Sequence, residues 1–243
     1  MKESRRLINT FCKANPYSVR VEIDPQNGDK SWIVNEGVKT PSLRLSAIVG
    51  DSIHNFRSSL DHLAYQLVIA NGNTPSAITA FPICSDRSKW PRAQAKLKGM
   101  SDRVKALIEE QQPCFTTHRH RKRQFTWLEE LDIVDKHRYI QLTQTATGGG
   151  FWSQALPFSA SSTTFIFNGA VQRDTVLARV PESYSYVDFN SFIEIAFGQG
   201  TSAEGELVYR TLFGFGFLVQ HTSRLFDRFF PVSITPGLHR FGI

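Results

Sequence analysis

The amino-acid sequence predicts an α+β protein in which a mainly helical bundle carries inserted antiparallel β hairpins. Apolar residues recur every three or four positions through 43–71, which is typical of one long helix with a buried side. The apolar period shortens to two near 17–35 and 151–197, which indicates strands. Since no linker interrupts the chain, we expect residues 1–243 to form a single domain of about four or five helices with these β insertions.

The first half of the chain contains clear turn and cap signals. Asn27-Gly28 is a strong hairpin turn between two alternating segments, and Asn71 begins a stop signal for the long helix. Ser101 precedes an amphipathic segment and is its expected cap. The elements predicted here are a short basic helix (2–14), two paired strands (17–23 and 31–35), the long helix (43–71) and two shorter helices (88–98 and 101–112).

The second half changes from helical to strand patterns and back again. A helix is predicted over 125–140, and the glycine run 148–150 is expected to end that helical part. Strands follow as far as 197, with Asn168-Gly169 as a turn between two of them. A phenylalanine-rich helix is predicted over 206–230.

Composition indicates an ordinary soluble protein with a moderate positive charge. The net charge of +6 permits an anionic partner such as nucleic acid without requiring one. No apolar segment is long enough for a signal peptide or a membrane span, so no membrane association is expected. The three cysteines are far apart in sequence and show no paired spacing, which favours reduced thiols and a cytoplasmic location over a disulfide framework.

The long helix carries a polar stripe in addition to its apolar one. Asparagine, arginine and a second histidine flank this stripe, so acids, imidazoles, a guanidinium and a phenol share one helix. Such a combination exceeds what solubility requires and marks the helix as the first candidate site. The stripe consists of Asp51, His54, Ser58, Asp61 and Tyr65, flanked by Asn55, Arg57 and His62.

The segment RSSLDH places His62 five residues after Arg57. This spacing resembles the Arg-x4–6-His motif of HEPN-domain ribonucleases, which are helical bundles. The resemblance implies a metal-independent endoribonuclease that acts as a homodimer, with His62 as acid and base and Arg57 stabilising the charge on the phosphorane. His54 and Asp61 would belong to the same catalytic site. A histidine that titrates near neutral pH and a guanidinium that fits phosphate are suited to this chemistry.

A structural interpretation of the same residues stays open. Residues five apart on an α-helix point about 140° apart, so Arg57 and His62 do not share a face without a partner surface. Arg57 and Asp61 are four apart and can form an ion pair instead.

A second cluster lies on the helix predicted over 125–140, where Asp135, His137 and Arg138 follow one another closely. Together with HNFRSSLDHL, this DKHR segment resembles a group of uncharacterised bacterial proteins, a resemblance that implies no activity. If the two helices are neighbours, we expect His54, Asp61 and His62 to face the second cluster. The result would be either a polar active site or an internal hydrogen-bonded network that fixes the two helices.

The densest charge run in the sequence precedes that second cluster. It can contact the phosphates of RNA, with Phe125 and Trp127 as stacking rings, or it can be a solvated, charged loop. The run consists of His118, Arg119, His120, Arg121, Lys122 and Arg123.

Metal binding is a further alternative, since His54, Asp61, His62 and His137 offer nitrogen and oxygen ligands. However, His54 and His62 are about 12 Å apart along a helix axis, too far to share one ion. No phosphate-binding glycine motif and no serine- or cysteine-hydrolase motif is present. We therefore expect no metal and no cofactor.

Two functions remain open from sequence. The first is the metal-independent endoribonuclease, a homo-oligomer that cleaves RNA. The second is a non-catalytic interaction or nucleic-acid-binding protein whose polar helix faces form a structural network.

Overall fold

The computed structural model describes residues 2–14, 17–35, 39–152, 165–166, 168–182 and 188–230. Within them the chain forms six α-helices and seven strands in two small antiparallel sheets, which confirms the predicted α+β class with mainly helical structure. Contacts between Cα atoms divide the chain into two compact units, one formed by 1–49 and 139–209 and the other by 50–138 and 210–243. The expected single domain stays a prediction, because two compact units can belong to one domain or to two.

The first unit contains the strands and the N-terminal helix. The predicted hairpin at 17–35 is confirmed, since β1 pairs antiparallel with β2 and Gly28 lies in the turn with a φ of 73°. One sheet has the order β1-β2-β6-β4 and the other β5-β3-β7. The elements are α1 (Lys2–Lys13), β1 (Val19–Ile23), β2 (Lys30–Val34), β3 (Leu142–Trp152), β4 (Phe165–Ile166), β5 (Asn168–Ala170), β6 (Val176–Val180) and β7 (Asp188–Phe197).

The second β region begins earlier than the sequence pattern indicated. The glycine run 148–150 does not end a helical part but lies inside β3, where the pairing with β7 is irregular between Ala146 and Gly149. Glycine is common at such irregularities because its backbone can adopt conformations that other residues avoid. Asn168-Gly169, predicted as a turn, lies instead in β5 and pairs with β3. Residues 153–164, 167 and 183–187 of the predicted strand region lie outside the described residues.

The second unit is helical in its described part. The long helix is confirmed as α2, whose residues from Gly50 onward belong to this unit. Its fully buried side chains recur at helical spacing among exposed polar ones, and its Phe56 ring meets Phe215 of α6 edge-on with centroids 6.3 Å apart. The helices are α2 (Leu43–Ala70), α3 (Trp90–Gln94), α4 (Asp102–Gln111), α5 (Arg119–His137) and α6 (Val208–Phe226).

Two helix boundaries differ from expectation. The helix predicted over 88–98 is a short α3 between single 3-10 turns, with Pro91 in its first turn. The helix predicted over 125–140 begins six residues earlier, at Arg119, so the basic run is helical rather than a loop. By contrast, the Ser101 side chain accepts a hydrogen bond from the Val104 backbone N–H, which confirms the predicted cap of α4.

Helix α6 is the phenylalanine-rich helix predicted near 206–230. A Cβ at Gly214 would lie 2.7 Å from Oε1 of Gln124, so a glycine here lets α6 approach α5 closely. None of the helices in the described part of the chain has the length and apolar character needed to cross a bilayer.

The segments that carry Cys84 and Cys114 lie side by side in the second unit. The backbone N–H of Cys114 donates to the carbonyl of Cys84 at 3.0 Å. Burial and the adjacent Cys84 thiol raise the pKa of Cys114 to about 11. All three cysteines are free thiols. These two cysteines are 30 residues apart in sequence, so their proximity in the fold was not predicted.

Candidate functional site

Helices α2 and α5 lie side by side and run in opposite directions. Three residues in ascending order along α2 contact three residues in descending order along α5. The pairs are Gly50 with Asp135, His54 with Asp132, and Arg57 with Glu129. Gly50 lies so close to Asp135 that an added Cβ would overlap its carboxylate. The polar faces of the two helices therefore form one continuous set of side chains.

Arg57 is a deeply enclosed member of this set, with a side chain only 7% exposed. Its Nε donates to Glu129 at 2.8 Å and its Nη1 to Asp61 at 2.6 Å. Its Nη2 donates to the Phe81 carbonyl oxygen at 2.9 Å, and the Phe81 N–H donates back to Asp61 at 2.9 Å. Burial lowers the pKa of Arg57, but the charges of Glu129 and Asp61 raise it by more, so the guanidinium stays charged. Arg57 thus ties together α2, α5 and the loop after α2.

The structure does not bring Arg57 and His62 into one site. The Arg57 guanidinium is turned inward and occupied by two carboxylates, whereas His62 is exposed on another side of α2. This separation follows from their spacing of five residues on one helix. Asp61 serves as a partner of Arg57 and not of His62 among the described contacts.

His54 forms the second polar group of the interface. Its Nδ1 lies 2.9 Å from Oδ1 of Asp132, a side chain only 2% exposed, and its Nε2 lies 3.3 Å from Oγ of Ser58. The other oxygen of Asp132 accepts a hydrogen bond from Nζ of Lys136 at 2.6 Å. The buried carboxylate therefore fixes the imidazole through one oxygen and binds an ammonium group through the other.

Asp135 lies at the same end of the interface as His54. Burial raises the pKa of Asp135, the negative charges of Asp51 and Asp132 raise it further, and His54 lowers it. An acid with a raised pKa is costly to ionise in the folded protein, so its charge opposes folding at neutral pH.

The substitution Asp135→Asn is therefore expected to increase stability at pH 7. When folding raises the pKa of a carboxyl group, the folded protein loses stability as the pH rises past the pKa of that group in the unfolded chain. Asparagine stays neutral and causes no such loss. The melting temperature of the variant should exceed that of the wild type at pH 7. The difference should disappear below the ordinary carboxyl pKa of about 3.9. Melting curves measured by circular dichroism across this range test the expectation, and a constant difference at every pH would contradict it.

The antiparallel pairing corrects the predicted meeting of the two clusters. His54 does lie near Asp135, as expected. Asp61, however, binds Arg57 and the Phe81 N–H, whereas His137 and Arg138 are exposed beyond Asp135, at the end of the interface that is farther from Asp61. The sequence contains no signal for the relative direction of two neighbouring helices, so this part of the prediction was wrong for a topological reason.

Two important partners, Glu129 and Asp132, were absent from the sequence prediction. Asp132 follows Phe125 and Leu128 at helical spacing, on the face that packs into the core. A carboxylate on a buried face requires a partner, and this was the available signal. The four proposed metal ligands do not converge, and no cluster of three or more His, Cys, Asp or Glu suited to a metal ion occurs among the described residues.

The basic run occupies the first turns of α5. His118, Arg119, His120, Lys122 and Arg123 are exposed, and Arg121 contacts Gln111 and His221. The predicted stacking rings are not accessible. Phe125 is fully buried and stacks on Phe81 with ring centroids 6.0 Å apart, and the guanidinium of Arg123 covers the buried Trp127.

Comparison with protein-family models, curated protein sequences and solved structures found no match.

Proposed function

We propose that this chain is a nucleic-acid-binding protein that contacts the phosphates of RNA through the start of α5. In this proposal the hydrogen bonds that join Arg57 of α2 to Glu129 of α5 and to the loop after α2 are structural. They hold in place the helix whose first turns meet the ligand. This is the second of the two functions that the sequence left open.

The observation that carries the proposal is the chemistry at the start of α5. His118 occupies the N-cap position without a capping hydrogen bond from its side chain, and the first turn contains no acid. Arg119, His120 and Lys122 are exposed there and form no side-chain hydrogen bond or ion pair within the described ranges. Exposed cationic side chains therefore surround a helix N-terminus whose first backbone N–H groups have no partner within the helix, an arrangement that suits phosphate.

Electrostatics makes this arrangement costly for the protein alone. The N-terminus of an α-helix carries about half a positive charge, so cations there are unfavourable by roughly 0.3–1 kcal/mol each. A bound phosphate removes this repulsion and satisfies the helix N-terminus at once. The net charge of +6 also favours association with a polyanion.

The endoribonuclease based on Arg57 and His62 stays a prediction that the geometry favours less. A guanidinium that already binds two carboxylates and a carbonyl oxygen has little capacity left to stabilise a phosphorane. The proposal includes a homo-oligomeric state. It also includes a cytoplasmic location, because three free thiols suit a reducing compartment.

Removing two exposed cations from the start of α5 is expected to weaken RNA binding. Fluorescence anisotropy with a labelled single-stranded RNA of about 20 nucleotides would compare the wild type with Arg119→Gln/Lys122→Gln across a range of salt concentrations. The affinity should fall by roughly tenfold, and the slope of log K against log salt should decrease by about 0.7 for each lost phosphate contact.

The matched control is Arg92→Gln/Lys98→Gln, which removes the same two charges from exposed positions elsewhere in the same unit. It should keep nearly all of the affinity and slope. Equal losses in the two double variants would show only a net-charge effect, and absence of RNA binding by the wild type would refute the proposal. Gel analysis of the same RNA, with EDTA present, tests the ribonuclease separately.

A further inference from the structure

The chain Ser58–His54–Asp132 has the connectivity of a nucleophile, a base and an orienting acid. Oγ of Ser58 lies 3.3 Å from Nε2 of His54, and Nδ1 of the same ring lies 2.9 Å from Oδ1 of Asp132. RNA binding at the start of α5 uses none of these groups. We propose that they form a hydrolytic site for small carboxylic esters.

The hydrogen-bond partners determine the tautomer of His54. An ionised carboxylate only accepts hydrogen bonds, so Nδ1 must carry the proton that it shares with Asp132. In the neutral ring Nε2 is then unprotonated and accepts the Ser58 hydroxyl proton. This is the proton arrangement that activates a serine.

Asp132 can act as a positioning residue because its own place is fixed. Its side chain is buried, one oxygen meets His54, and the other accepts a hydrogen bond from Lys136 at 2.6 Å. The link between His54 and Ser58 is somewhat longer than an ideal hydrogen bond. Such links are commonly loose without substrate and tighten when it binds.

The reactive atoms are accessible from solvent. The His54 side chain is 51% exposed, and Ser58 is one turn further along the same outward face of α2. Asn55 and His62 lie one turn before and one turn after Ser58, and both are exposed. Their N–H groups are the donors available to a developing oxyanion on this face.

The reaction balances with water as the only co-substrate. Oγ of Ser58 attacks the ester carbonyl carbon while His54 Nε2 takes the hydroxyl proton. The C–O bond to the alcohol breaks, and His54 returns that proton to the departing alkoxide. Water, deprotonated by His54, then attacks the acyl-serine, and the proton returns to Ser58 as the carboxylic acid leaves.

Esters with good leaving groups are the expected substrates rather than amides. The oxyanion donors here are side chains on a helix surface, not a fixed pair of backbone N–H groups. These donors therefore stabilise the tetrahedral intermediate less than fixed backbone N–H groups would. A good leaving group compensates for the weaker stabilisation.

The test uses the full chain, p-nitrophenyl acetate and a fluorophosphonate probe that modifies activated serines. We expect a burst of nitrophenolate, an acetyl group on Ser58 in the mass spectrum of trapped protein, and fluorophosphonate labelling of Ser58. Ser58→Ala should lower kcat/KM by roughly 100-fold or more. The matched control is Ser59→Ala, which removes the neighbouring exposed hydroxyl and should keep full activity.

Asp132→Asn is expected to lower kcat while KM changes little, because it disturbs the tautomer and not substrate contact. Melting curves establish that each variant is folded. Equal activity in Ser58→Ala and Ser59→Ala, or acetylation of lysine and histidine without Ser58, would overturn the proposal. Neither outcome affects RNA binding at α5, so the two proposals fail or succeed separately.

Discussion

Replacing Arg57 with alanine is expected to lower the free energy of unfolding by about 2–4 kcal/mol. The guanidinium forms three charge-assisted or polar hydrogen bonds, to Glu129, Asp61 and the Phe81 carbonyl oxygen. Alanine removes all three hydrogen bonds, although Asp61 keeps the one from the Phe81 N–H, and it leaves a cavity beside Phe81. The side chains of Asp61 and Glu129 are 40% and 29% exposed, so water recovers part of the loss. Urea unfolding of wild type and variant measures the difference.

Two variants separate the charge of Arg57 from its shape. Arg57→Lys keeps the charge, but one ammonium group cannot match the spread of the three acceptors, so we expect an intermediate loss. In Arg57→Met/Glu129→Met both charges are gone, and the double variant should be more stable than the sum of its single changes implies. A loss below about 0.5 kcal/mol in Arg57→Ala, as for an ordinary surface substitution, would contradict a structural role.

The second large effect is expected from Gly50→Ala. Within a helix, alanine normally gains about 1 kcal/mol over glycine. Here the added Cβ would overlap the Asp135 carboxylate, a short side chain with little freedom to move aside. We expect the overlap to exceed the gain, with a net loss of about 1–2 kcal/mol in urea unfolding as α2 and α5 are forced apart.

The same substitution at another helical glycine is the control. A Cβ at Gly216 would meet Phe56 at 3.7 Å, an ordinary contact, so Gly216→Ala should be neutral or stabilising. Adding Asp135→Ala to Gly50→Ala should restore stability, because it removes the group that the methyl overlaps. If Gly50→Ala proves stabilising alone, the close approach of the two helices at this point is wrong.

Periodicity predicted the fold class and the principal helix. The three-to-four spacing of apolar residues identified α2, and Asn27-Gly28 identified the first hairpin, since both signals are local. The glycine run 148–150 misled the prediction because glycine signals a turn and a strand irregularity alike. The pattern could not tell these two apart.

The candidate site was predictable only in part. His54 and Arg57 were recognised because too many ionisable groups shared α2. Their partners Asp132 and Glu129 were not, because pairing depends on the direction in which α5 passes α2. Because the sequence does not show the relative direction of two helices, it also led to the expectation that Asp61 would face His137. Only Asp132, an acid on an apolar face, carried a local sign of its role.

The opposed course of α2 and α5 restricts how the length of this protein can vary. Positions that rise in number along α2, from Gly50 to Arg57, face positions that fall in number along α5, from Asp135 to Glu129. Inserting one residue between Gly50 and His54 would rotate His54 and Arg57 by about 100° about the helix axis and move both away from their partners Asp132 and Glu129 on α5. Insertions and deletions in related chains should therefore avoid this interval and collect in the loops beyond the two helices.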